Sequence, residues 1–450
     1  DAEDATPPLR PEARAGRARV RSRMSLLPFL AVTQLAAVAA LLVRGRHRTS
    51  LAIGLLGLLA ALVSAALIVP GDSISLGGEP LLASGYGRLF LLLGAGSGLA
   101  IAVVGYATAW HRNLPPAMLA ALGWIGLALS LPEPGAAFLA VTVGGLAGVL
   151  VTLVPGPDED GAAASARELR AVVVAGALGL AALAWVDVGL ATETSAPTGT
   201  LVGVGVLAVV VALTLRIGSI PLHGWVGRVT HGAPVSALPL LLAWAPAGFA
   251  LVVLAWVATS VTGWSGAGSA PVPIPDAATG VAATLGVERL VALVLGLITL
   301  IGGAFAAWVQ DETEHIVGYS TMQDAGLILL ALAAQGDPWW AIRVYLIVFV
   351  TAKTALAGWA LVLAATYRTG RANELAGWAR RSPLLLVALL AIVAATIGWP
   401  GSPTWEARWT LAQLAAPDPG STLVFLAGTT SLLYYLRLLR IGFARPGPVV

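Results

Sequence analysis

Residues 200–220 read TLVGVGVLAVVVALTLRIGSI, and Pro221-Leu222-His223-Gly224-Trp225 follows directly. The run is long enough to cross a bilayer, which takes ~20 apolar residues. Arg216 lies inside it. A guanidinium in a greasy segment is costly enough that function is the default explanation. Pro221 lacks a backbone donor and clashes with the preceding turn, so the helix is expected to break or end within about one turn of it. His223 is then expected beside a polar cavity, because a break at mid-depth frees carbonyls and makes room for water or an ion. The alternative is a span ending at Ile220, with Arg216 snorkelling to the membrane surface. Arginine keeps its proton even when desolvated, whereas histidine exchanges one near neutrality. Arg216 is a fixed charge; His223 can titrate.

The rest of the chain has the same character. Of its 450 residues 58% are hydrophobic and 11% charged, against ~25% charged in a soluble domain. Mean hydropathy is +0.86. There is no cysteine, hence no disulfide and no thiolate or iron–sulfur site. No Gly-x-Gly-x-x-Gly follows a strand, so no nicotinamide or flavin site is expected. Neither a cofactor nor a metal is assigned. The net charge of +3, spread between apolar runs, excludes a nucleic-acid surface. Fifty-two glycines suit close helix approach in lipid.

Apolar runs fall at 26–43, 51–70, 86–106, 116–131, 136–154, 169–187, 200–220, 233–258, 286–308, 315–334, 340–366, 382–399 and 419–441. They predict an all-α polytopic membrane protein of about thirteen transmembrane helices. The first, fourth and fifth are short or interrupted. Continuous apolarity excludes a β-barrel, whose strands alternate. Arg44, Arg46, Arg48, His111, Arg112, Arg167, Arg170, Arg228, Arg368, Arg371, Arg380 and Arg381 follow odd-numbered runs, and Asp72, Glu79, Glu133, Asp187, Glu193 and Asp337 follow even-numbered ones. The positive-inside rule then places the C-terminus in the cytoplasm. The Arg/Pro-rich segment 1–23 conflicts with that rule; it is expected to be a flexible extension, with Met24 a plausible natural start. Residues 442–450 form a tail.

Three more places carry charge at depth. Gln310-Asp311-Glu312-Thr313-Glu314-His315 is a charged turn in which Glu314 and His315 are expected to cap the next helix. Gly318-Tyr319-Ser320-Thr321-Met322-Gln323-Asp324 follows, placing the Asp324 carboxylate about nine residues into a span. It either holds a proton or bonds neighbouring helices together. Lys353 lies midway along Trp340–Thr366 as the only intramembrane lysine, and a buried lysine, unlike arginine, can give up its proton. Asp324 is its expected counter-charge, with Glu314 too near the surface. The alternative for Lys353 is a purely structural ion pair. Last, Gly398, Pro400, Gly401 and Pro403 disrupt a helix ahead of Glu406 and Arg408, which are two apart and so do not face each other.

In order and spacing, residues 85–441 resemble the antiporter-like proton-channel subunits of respiratory complex I (NADH–quinone oxidoreductase), Mrp-type cation/proton antiporters and membrane-bound hydrogenases. The residues that carry the resemblance are Arg216 through Pro221-Leu222-His223-Gly224-Trp225 to His231-Gly232-Ala233-Pro234, then Gln310-Asp311 with Gly318-Tyr319-Ser320-Thr321, Pro400 through Arg408, and Tyr434-Tyr435-Leu436-Arg437. The resemblance implies two inverted five-helix repeats with broken helices, at 111–258 and 286–441 behind N-terminal helices at 24–110. It implies a proton path using Arg216, His223, Asp324, Lys353 and Arg408 or their charge partners. It also implies companion polytopic subunits, a peripheral redox or catalytic arm, lipid, protons or small cations, and a bacterial plasma membrane location.

The departures are specific. Arg216 and Arg408 stand where the family carries titratable residues. The family's central lysine falls near Pro246, and no glutamate occupies 136–153. Two readings follow: a proton-translocating subunit, or a degenerate spacer that serves assembly. Pro234-Val235-Ser236-Ala237-Leu238 also resembles members of inorganic-carbon uptake complexes, a third reading. Redox chemistry belongs to partners in all three.

Overall fold

The computed structural model describes residues 25–76, 78–108, 113–149, 159–191, 197–262 and 285–445. The N-terminal extension, His111, Arg112, Glu193 and the last residues of the fifth run lie outside them.

Helices α1 (Leu27–Leu42) and α2 (His47–Ala66) pack as a pair, and a hairpin of β1 (Ser73–Leu76) and β2 (Glu79–Leu82) follows. The all-α expectation missed this hairpin, which is too short to bear a periodic signal. Then come α3 (Gly85–Thr108), α4 (Leu114–Ala128), α5 (Pro134–Leu146), α6 (Glu159–Ala191) and α7 (Pro197–Arg216). A single turn at His223–Trp225 leads into α8 (Val226–Gly232). The segment Val235–Thr262 is helical throughout, with α9 (Ala245–Val257) flanked by wide π turns at Pro239–Trp244 and Ala258–Thr262. Pro246 has no N–H for the carbonyl four residues back, a reason for the ladder to widen just before it. The second half holds α10 (Gly286–Trp308), α11 (Thr313–Ala333), α12 (Trp339–Tyr367), α13 (Trp378–Arg381), α14 (Pro383–Ile397), α15 (Pro403–Ala415), α16 (Gly420–Thr429) and α17 (Leu432–Phe443).

Local chemistry sets several of these boundaries. Proline opens α5, α14 and α15, where its missing donor costs nothing. The Glu133 carboxylate accepts from the N–H groups of Gly135 and Ala136, and Ser402 accepts from that of Trp405. At α11 the expected cap is corrected. Glu312 holds the N-cap position without a side-chain cap bond, while Glu314 and His315 fall in the first turn.

Among the described residues eight helices are long and apolar enough to cross a membrane, and five apolar helices are shorter. The expected count of thirteen is therefore not established helix by helix. The three runs read as short are among the five, joined by the Arg216 helix and α14. The twelfth run ends at its break: α14 stops at Ile397, Gly398 and Gly401 take positive φ (80° and 86°), and a separate helix, α15, follows with Arg408 buried and Glu406 exposed.

Burial orders the bundle. The apolar windows of Val235–Thr262 and Thr313–Ala333 are each 94% buried, against 39% for His47–Ala66 and Gly286–Trp308. The first two make the centre; the others turn a face to lipid. Connections collect at two ends. At one, the hairpin reaches the α4–α5 loop through Leu82 N–H to Ser130 O, and Gln335 N–H reaches Leu414 O. At the other, Thr313 bonds Gly370, Ala372 bonds Asp311, and Arg437 meets Asp311 at 3.0 Å.

Candidate functional site

Among the described residues two buried charge clusters stand in the bundle. The first is built on α11 and α12. Lys353 Nζ lies 2.6 Å from Asp324 Oδ2, and each side chain is 1% exposed. Asp324 is the twelfth residue of α11 and Lys353 the fifteenth of α12, so both sit near mid-helix. Ser320 Oγ, one turn before Asp324, is 3.4 Å from the lysine nitrogen. Tyr345 donates at 2.7 Å to the Asp324 backbone carbonyl, which fixes the two helices in register. Lys353 is the single lysine among 26 basic residues.

Arg408 belongs to the same region. Its guanidinium is 1% exposed and donates to the carbonyls of Thr396 (2.9 Å) and Ile397 (3.2 Å), the free C-terminal end of α14. A cation there meets the negative end of the helix dipole. Tyr345 is within electrostatic reach of both Asp324 and Arg408. Gln323, beside Asp324, accepts from Tyr434 at 3.2 Å and donates to Gly428 O at 3.4 Å. Tyr434 of the sequence motif thus ties α17 to α11 at the residue beside Asp324.

The second cluster is on α6 and α7. Arg216 is the last residue of α7 and 1% exposed. The helix ends before Pro221 as expected, and Arg216 does not snorkel. Trp225 Nε1 donates to Leu215 O at 2.9 Å, and Ile220 N–H donates to Thr299 Oγ1 at 3.1 Å, pinning the broken segment to α10. The charge opposite Arg216 is Glu168, which is fully buried and electrostatically coupled to it. Glu168 was not singled out from sequence, since its run was placed from residue 169 and its neighbours Arg167 and Arg170 read as surface. The empty stretch 136–153 instead supplies space: a Cβ on Gly145 would lie 3.1 Å from Arg216, and one on Gly148 2.4 Å from Glu168.

His223 stands apart. It is half-buried in the turn after the break, with no bond to either cluster and Nδ1 unpartnered. A cavity of ≈ 450 Å³ lies elsewhere, lined by Tyr86, Asp337, Trp339 and Arg343 among others. Of the five sequence candidates, Asp324, Lys353 and Arg408 come together, Arg216 joins Glu168, and His223 joins neither.

Between the clusters runs Val235–Thr262, packed on α5 and α7 on one side and on α11 and α12 on the other. Leu240 through Leu254 are all buried, and none is ionisable. Trp244 fills this wall, donating to Thr354 Oγ1 at 3.0 Å and meeting Phe90 edge-on at 5.1 Å.

A family model described as "NADH:quinone oxidoreductase/Mrp antiporter, TM" matches residues 281–433, the half that holds Lys353, Asp324 and Arg408. Solved structures match over nearly the whole chain. A chain of respiratory complex I from Thermus thermophilus superposes with TM-score 0.69 at 21% identity, covering 93% of this chain and 90% of its own. A chain of the Mrp complex from Dietzia sp. gives 0.67 at 20%, covering 95% and 81%.

Residues 281–433 match that family, and the whole chain has the fold of the antiporter-like membrane proteins.

A chain of the archaeal membrane-bound sulfane sulfur reductase matches this fold with TM-score 0.75 at 15% identity, covering 95% and 91%. Sequence relatives include NADH-quinone oxidoreductase subunit N 1 of Streptomyces griseus, 29% identical over 248 residues, or 53% of this chain and 47% of that protein. Subunit N of Maricaulis maris is 26% identical over 262 residues, or 57% and 50%. The chain spans about half the length of the curated relatives it matches. The departures read from the sequence stand in the structure: arginine at 216 and 408, and an apolar wall at Pro246.

Proposed function

We propose that this chain is one membrane subunit of a proton-translocating complex of the complex I kind, with Lys353 and Asp324 as its proton-holding pair. The observation that carries the reading is the 2.6 Å contact between the two at mid-bundle. A lysine can hand over its proton and a carboxylate can receive it, and neither meets water in the closed state. Opening the pair lets Lys353 release its proton to an entering water chain; closing it favours recapture. Ser320 offers the next oxygen on the same face. Arg216 and Arg408 keep their protons, so they bias the path by their field and hold broken helix ends; Glu168 is the titratable member of the other cluster.

The location we infer is a bacterial plasma membrane with the C-terminus cytoplasmic, from the distribution of Arg and Asp/Glu among the loops. Repeats at 111–258 and 286–441 are supported by the breaks after Arg216 and Ile397, each with an arginine at a helix C-terminus. Other polytopic subunits and a peripheral redox arm are the partners, as the names of the relatives suggest; electrons are handled there.

A second reading, a non-pumping spacer, is favoured by the unbroken apolar wall at 240–254. Proton uptake by vesicles holding the purified complex separates the two. For a translocating subunit, Lys353→Ala abolishes most uptake at matched assembly and Lys353→Arg does not restore it. Wild-type uptake in both variants would leave only the spacer.

A further inference from the structure

Four side chains from two distant parts of the chain converge where α10 turns into α11. His231 lies in the last turn of α8; Glu312 holds the N-cap of α11, and Glu314 and His315 lie in its first turn. One ligating atom from each is within 4.8 Å of the others. His315 Nδ1 is 3.3 Å from Glu312 Oε2. The rings of His231 and His315 stack at 5.9 Å with 19° between planes. The carboxyl groups of Glu312 and Glu314 are within hydrogen-bonding reach of each other. All but His231 are half-buried. Two half-buried carboxyl groups pushed together call for a cation between them. Arg371, whose backbone bridges Glu312, turns its guanidinium to Glu374 at 3.7 Å instead.

We propose that His231, Glu312, Glu314 and His315 bind one divalent transition-metal cation of the zinc type. Two imidazole nitrogens and two carboxylate oxygens are a donor set for that class, whereas magnesium and calcium take oxygen alone. Tetrahedral ligands at ~2.1 Å from zinc stand ~3.4 Å apart, so the four atoms close on an ion by side-chain rotation. No local spacing marks these four residues, because His231 and Glu312 are far apart in the chain. The site ties α8, the short helix beyond the Arg216 break, to α11, the helix of Asp324. Such a clamp holds the ends of both charge-bearing elements at one surface of the bundle.

The test uses the full-length chain purified in mild detergent with its native partners, stripped with EDTA, dialysed, and loaded with Zn²⁺ or Co²⁺ alone. Wild type retains one more equivalent of zinc per complex than His315→Ala or the exposed-site variant His231→Asn, as read by elemental mass spectrometry. Cobalt gives a tetrahedral d–d absorption band in wild type that both variants lose. Equal zinc content in wild type and His231→Asn, or persistence of the cobalt band in that variant, overturns the proposal. His231→Asn changes only an exposed side chain, so the comparison stands even where His315→Ala fails to assemble. Mg²⁺ displacing zinc at equal concentration also overturns it.

Discussion

Lysine and arginine part company at depth: one can become neutral, the other cannot. This chain uses arginine for every other basic position and keeps its lysine at 353, against Asp324. Breaking a buried pair from one side leaves a bare charge in an apolar setting, which costs about 3–5 kcal/mol, while replacing both partners is nearly neutral. Asp324→Asn alone is therefore expected to lower the unfolding midpoint of the complex markedly, and Asp324→Asn with Lys353→Met to recover most of the loss. A double variant no more stable than the single one, in thermal unfolding in detergent, would contradict this. Both members were legible in the sequence, since each is an ionisable side chain inside a clean apolar run. Glu168 was not. It sits in Arg167-Glu168-Leu169-Arg170 at the edge of a run, and only the fold turns it inward while its neighbours Arg167, Leu169 and Arg170 face outward.

Among the elements, glycine spacing decides how closely the charged helices approach. On α10, a Cβ at Gly303 would lie 2.7 Å from the Gln323 backbone, and on α11 one at Gly326 would lie 2.8 Å from Gly296 O. Backbone cannot step aside. At Gly428 the obstacle is the tip of Arg408, at 2.8 Å, which can swing. Gly303→Ala is thus expected to cost ~1–3 kcal/mol and Gly428→Ala clearly less, measured as shifts in unfolding under the same conditions. A larger loss at Gly428 would mean that Arg408 is held more rigidly than its two carbonyl bonds suggest. Gly218 in the break after α7 takes φ 67°, and its Cβ would strike Val226 at 2.3 Å; Gly218→Ala should unsettle the Arg216 end in the same assay. The break itself was readable from Pro221. That Arg408 reaches back across the second break to the end of α14 was not, because its bonds to the Thr396 and Ile397 carbonyls cross Gly398, Pro400, Gly401 and Pro403.

Across the whole molecule, two charge clusters flank a dry helix. A relay that runs sideways through the bundle requires a group or a water chain at each step, and the buried stretch 240–254 offers no ionisable side chain. The clusters should then act independently. Glu168→Gln and Asp324→Asn are expected to add in their effects on stability within about 0.5 kcal/mol, as separated sites do. Their effects on proton uptake should likewise multiply. Strong non-additivity in vesicles would reveal a wetted passage past Trp244 and Pro246. The sequence already pointed to this wall through the missing lysine near Pro246. That Trp244 fills it, bonded to Thr354 from the neighbouring helix, is a tertiary fact with no local signal.

The lone, enclosed Lys353 has a practical consequence for protein chemistry. With its side chain 1% exposed, acylating reagents such as N-hydroxysuccinimide esters find no side-chain amine on the folded bundle. The arginyl-bounded peptide 344–368, which contains Lys353, should stay unmodified in the native complex and react once the chain is denatured. Any state that wets the centre of α12 during turnover would leave a permanent acyl mark there. One mass shift on one peptide would then count visits to the open form.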